Sequence, residues 1–184
     1  MDRQADFSYL LGLILAGLLV AIAIVADGAV AKTFNGIGGI IWIASAVRLL
    51  LNLRHDARYL SRLLATVVIG LVLVLLAKPD DFAAAAIGFG FGGALIALIS
   101  GRRAVSWALL LAAMWLPLHL AVAVVRVVER AARDLPASIR RDPPPTAALV
   151  PLSMILAAWL GAVIVEAVRE RRAEAARDLA DQAP

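Results

Sequence analysis

Six long apolar runs, separated by short clusters of charge, constrain this chain more than any other feature of its sequence. They can be drawn as Tyr9–Ala26, Gly36–Leu51, Leu63–Ala77, Phe82–Ser100, Ala104–Val125 and Ala147–Val165. Runs of 15 to 22 residues with charge held to their flanks match the hydrocarbon thickness of a bilayer. Inside lipid an unpaired backbone group costs several kcal/mol, so each run is expected to be helical. The expected fold class is therefore all-α: a polytopic transmembrane helix bundle, about six helices in three hairpins. Composition agrees, with 62% hydrophobic residues, 17% charged residues and a mean hydropathy of +0.89. The third run is short. Its 15 residues rise about 22 Å against a core of about 30 Å, so Arg62 and Lys78 are expected to snorkel.

Arg3, an apolar run and "AVA" at Ala29 to Ala31 resemble the parts of a signal peptide. The run is too long for an h-region and Asp2 and Asp6 dilute its positive end, so we read a retained first helix. Charge then gives an orientation. "RHDARYLSR" after the second run carries Arg54, Arg58 and Arg62, and "GRR" after the fourth and "RERR" after the sixth fall on the same side. The opposite loops hold Lys32 and Lys78 among Asp27, Asp80 and Asp81. The positive-inside rule places both termini in the cytoplasm. The loop between runs five and six disagrees, because Arg126, Arg130, Arg133, Arg140 and Arg141 would lie outside. A five-crossing arrangement, with the fifth helix folded back, is the alternative. With sixteen arginines to two lysines and abundant alanine, the composition looks GC-rich and points to a bacterial inner membrane. The net charge of +4 does not call for nucleic acid, since the arginines flank apolar spans.

Two charged stretches have structure of their own. Val124, Val128, Ala131 and Leu135 recur at helical spacing among arginines, so residues 124–135 read as an amphipathic helix on the membrane surface or prolonging helix five. "DPPPT", residues 142–146, stops it. Residues 1–168 then form the bundle and 169–184 a charged, solvated cytoplasmic helical tail.

Glycines carry a second pattern. Gly36, Gly38, Gly39 and Arg48 recur as Gly90, Gly92, Gly93 and Arg102, each 54 positions later. Laying residues 9–48 over 63–102 gives eleven identities, where composition alone would give roughly five. We read the first two hairpins as a tandem repeat. Glycine at a helix contact lets two backbones approach, which drives association where lipid removes any hydrophobic incentive. Gly36, Gly38, Gly39, Gly88, Gly90, Gly92 and Gly93 are therefore the expected helix-packing positions, with Gly93, Ala97 and Gly101 as one small-residue row and Gly12 with Ala16 as another. Arg48, Arg62, Arg102 and Arg103 are the expected membrane anchors. "GFGFGG" satisfies a dinucleotide fingerprint by letters, but that motif needs a preceding strand in a βαβ unit.

Little in the spans suggests chemistry. The absence of cysteine excludes thiol catalysis, disulfides and Cys-ligated metals. His119 is the one ionisable side chain well inside a run, a functional candidate by that position. Its bland alternative is a neutral imidazole bonded to a carbonyl freed by Pro117. One intramembrane histidine cannot supply a bis-His haem site. Trp107 is expected at an interface, whereas Trp42, Trp115 and Trp159 fall near mid-span. Together with His119 they are the candidate lining of an apolar ligand cavity. No metal and no cofactor is expected. The sequence thus predicts a non-enzymatic membrane protein whose partners are the bilayer and other membrane subunits, or itself. Its expected role is a structural or assembly subunit of a larger complex, with a small channel or facilitator as the alternative.

Overall fold

The computed structural model describes residues 3–26, 28–76, 81–132 and 145–181. Among them the chain is all-helical, without strands: α1 (Arg3–Val25), α2 (Gly28–Leu53), α3 (Tyr59–Leu76), α4 (Phe82–Ser100), α5 (Ala104–Ala113), α6 (Trp115–Ala132) and α7 (Val150–Asp181). Six helical stretches are long and apolar enough to cross a membrane, α5 and α6 counting as one over Ala104–Glu129. This suggests a membrane protein.

Helix ends differ from the sequence reading for identifiable reasons. α2 begins eight residues before Gly36, because Lys32, Thr33 and Asn35 are tolerated in helix turns near its end. Thr33 Oγ1 is satisfied there by the Ala29 carbonyl at 2.9 Å. α3 begins at Tyr59, which gives it 18 residues and about 27 Å, so most of the expected shortfall disappears. α4 matches its expected bounds, started by Asp81, whose carboxylate accepts from the Ala84 N–H at 3.0 Å. It ends at Gly101, whose φ of +63° is a left-handed conformation open to glycine. Gly101 thus turns the chain into α5; the sequence reading had placed it in a packing row.

The expected amphipathic helix over 124–135 is, as far as Ala132, a continuation of α6, and the remainder lies outside the described residues. So do Asp142 to Pro144 of the proline-rich stop; Pro145–Leu149 form a short 3-10 turn. α7 runs from the last span into the charged tail without a break.

The core is α5. All ten of its residues are buried, enclosed by α1, α2, α3, α4 and α7. Ala104, Ala108, Ala112 and Ala113 keep the helix thin, so that neighbours on several sides can reach it. α6 leaves this enclosure and packs mainly on α3 and α5, with Leu120, Val124, Val125, Val127 and Val128 exposed. The most extensive contact of all joins α4 to α7. Ser153 Oγ lies 3.4 Å from the Phe82 carbonyl at one end of this pair, and Arg169 reaches the Leu98 carbonyl at the other, so the two helices run the same way.

Candidate functional site

Among the described residues, three places bring polar or aromatic groups together. The first is the arginine-rich end, where α5 starts. Asp56, in the turn between α2 and α3, accepts from the Arg58 N–H at 3.0 Å and from the Trp107 indole Nε1 at 3.2 Å, and it pairs with Arg62. Burial alone would raise the Asp56 carboxyl, but the Arg58 N–H, the indole, the Arg62 hydrogen bond and its charge together hold it below the ordinary value of 3.8. Tyr59 packs on the Trp107 ring at 6.0 Å. Ser106 donates to Asp6 of α1, so two carboxylates face the first turn of α5, where the helix dipole favours negative charge. Arg103 donates to the Asn52 carbonyl at 2.8 Å, and Arg48 lies over the Tyr9 ring at 5.8 Å.

These contacts place the expected anchors. Arg62 is largely buried in its ion pair, Arg103 caps the end of α2, and Arg48 covers a tyrosine. The side chain of Arg102 lies outside the described set, as does Lys78. Trp107 is fully buried, whereas the sequence reading put it in an interfacial belt. The reason is Asp56: the indole N–H has a carboxylate partner inside the fold and needs no headgroup.

The second place holds the aromatic candidates. Trp42 is 1% exposed and donates from Nε1 to the Ala113 carbonyl at 2.7 Å. Trp115 lies 6.1 Å from Trp42, and His119 stacks on Trp115 at 5.3 Å with the rings 20° apart. The sequence reading had foreseen a carbonyl freed by Pro117 and considered His119 as its donor; Trp42 takes it instead. Trp42, Trp115 and His119 are therefore one ladder between α2 and α6. Trp159 does not join it.

Trp159 belongs to the third place, a cleft of about 360 Å³ between α1, α5 and α7. Asp6, Glu166 and Glu170 line its polar part, and Phe7, Leu10 and Val163 its apolar part. Sequence reasoning missed this cleft because the acids are distant along the chain; the Glu166–Glu170 spacing of one helical turn was the available signal. Among the described residues no three histidines or carboxylates are arranged to hold a metal ion.

The glycines divide by neighbour. A Cβ at Gly38 would lie 3.2 Å from the Ala16 carbonyl oxygen, and one at Gly12 would lie 3.0 Å from Ser45 Oγ, so both mark the α1–α2 contact. Gly88 and Gly92 face Leu73 of α3 at 3.0 Å. A Cβ at Gly93 would lie 2.7 Å from the Ala158 Cα, and one at Gly161 would lie 3.0 Å from the Ala94 N, while Gly90 meets Ala157 at 3.7 Å. Here α4 and α7 touch backbone to backbone. Beside Gly36 and Gly39 there is nothing within 4 Å. Compared with protein-family models, with curated proteins and with solved structures, the chain matches none.

Proposed function

We propose that this chain is a non-enzymatic, multi-pass protein of a bacterial inner membrane, a structural or assembly subunit of a larger membrane complex. In this reading α1–α2 and α3–α4 are tandem hairpins of one design, α5 and α6 form the third with α7, and both termini are cytoplasmic. One observation carries it. Gly90 and Gly93 of α4 receive α7 at close range, whereas Gly36 and Gly39, at the same register of α2, have open space beside them. Around them Ile37, Ile40 and Ile43 are exposed, a face with the small-and-branched composition that packs helices in lipid. A subunit awaiting a partner's helix has such a face.

The test is the mass of the protein extracted gently from its own membrane, by native mass spectrometry. The expected result is a heavy assembly containing other subunits, lost in a Gly36→Leu variant that still folds. A lone 19.4 kDa chain or a small homo-oligomer sinks this reading. It would favour a channel or facilitator, for which the stacked Trp115–His119 pair is the supporting feature. Loss of solute flux in a well-folded His119→Leu variant would be its signature.

A further inference from the structure

On the side of the α4–α7 pair away from the core runs an apolar groove of about 360 Å³. Its floor is made by Gly90, Ala94, Ala157 and Gly161, where the two backbones meet, and its rims by Phe91 and Leu160. Phe91 is 76% exposed, so the rim stands high above the glycine floor.

On α7 the groove continues along one face. Ile164 leads to Val168 four residues on, and Val168 leads to Arg171 and Arg172 at the next i+3 and i+4 positions. Ile164, Val168, Arg171 and Arg172 are all exposed. From Gly161 to the arginines is ten or eleven residues, about 15–17 Å of helix rise. That equals half of a hydrocarbon core of about 30 Å. With the arginines at the headgroups, the groove therefore lies where the far end of an acyl chain falls. Arg169 ties the end of α4 to α7 through the Leu98 and Gly101 carbonyls, at 2.6 and 3.4 Å, which fixes the lower end of the groove. Glu166 and Glu170, by contrast, line the cleft toward α1 and leave this row to the cations.

We propose that the α4–α7 groove holds an acyl chain of an anionic phospholipid whose phosphate is bound by Arg171 and Arg172. The proposal rests on the helices spanning a bilayer and is independent of which complex the chain joins. Phosphatidylglycerol and phosphatidylcholine with the same acyl chains separate its two halves, since they differ only at the headgroup. Purified from mixed nanodiscs and released for native mass spectrometry, the wild-type protein is expected to retain phosphatidylglycerol preferentially. Attraction of a basic residue to anionic lipid corresponds to about fivefold per arginine. An Arg171→Gln/Arg172→Gln variant, altered at exposed positions alone, should lose that preference. An Ala94→Leu variant, which fills the floor, should retain less of either lipid. Equal retention of the two lipids by the wild type, or an unchanged preference in the double variant, overturns the proposal. Displacement of phosphatidylglycerol by millimolar inorganic phosphate would also overturn it, showing a phosphate site with no use for the chain. Release of the protein from membranes by a carbonate wash would instead remove the membrane reading itself.

Discussion

Because Pro117 carries no N–H, the Ala113 carbonyl four residues earlier has no partner in its own helix, and the Trp42 indole takes it. The same proline marks where α5 gives way to α6 and the chain leaves the core. Trp42→Phe keeps most of the ring and removes the donor, leaving a buried acceptor unmet at a cost of about 1–3 kcal/mol. Pro117→Ala restores a helical donor to Ala113, so in that background Trp42→Phe should cost about 1 kcal/mol less. Thermal unfolding of the four proteins in one detergent measures the coupling, and additive effects would contradict the arrangement. The glycines make a parallel case. Gly93→Val forces a side chain into the α7 backbone and should cost about 1–3 kcal/mol or more. Gly36→Val meets open space and should change stability of the isolated chain by less than about 0.5 kcal/mol. Two glycines that are equivalent in the sequence pattern thus separate in one melting experiment.

At the scale of elements, Asp56 joins the α2–α3 turn to the start of α5 through Trp107 and to α3 through Arg62. Its carboxyl titrates lower folded than unfolded, so the turn stabilises the fold at neutral pH. That contribution is lost as pH falls below 3.8 and through the lowered folded value. Asp56→Asn should flatten this acid loss in a melting series from pH 6 to pH 3, and lower stability at neutral pH by leaving Arg62 without its carboxylate. An unchanged acid profile would mean that another group governs it. The helical character and the six spans were legible, because lipid-length apolar runs admit little else. The central place of α5 was not. In water a helix that is apolar all round is buried, but in a chain whose six spans are all apolar, hydropathy does not tell lipid from core. Residues 104–113 carry Ala104, Ala108 and Ala112 at helical spacing, as α1, α4 and α7 carry small residues of their own, a packing signal that names no partner. Of the candidate cavity residues, Trp42, Trp115 and His119 form one ladder of rings, whereas Trp159 lines a different cleft. Depth in a membrane follows from sequence position; rotation about the helix axis does not.

For the whole molecule, the structure collects the start of α1, the end of α2, the start of α3, the end of α4 and the start of α5 at one end, through Ser106–Asp6, Arg103–Asn52 and Trp107–Asp56. Arg48, Arg54, Arg58, Arg62, Arg103 and Arg169 all belong to that end, and a charge asymmetry of this kind is retained on the cytoplasmic side during insertion. Arg126 and Arg130 in the last part of α6, with Arg133, Arg140 and Arg141 after it, oppose that signal, so the two compete within one chain. The natural sequence has no cysteine, which makes a direct measurement clean. Ala57→Cys places one thiol in the Asp56 turn, and Ala83→Cys places one at the exposed start of α4. If the arginine-rich end is cytoplasmic, a membrane-impermeant maleimide added to intact spheroplasts labels Cys at position 83 and spares position 57 until the cells are opened. Labelling of position 57 first would invert the molecule. Both positions labelled in separate populations would mean that the loop after α6 and the arginine-rich end pull the chain in with nearly equal force. In that last case, replacing Arg140 and Arg141 by Gln should restore the single orientation, because in the expected orientation these charges lie on the far side and would resist translocation.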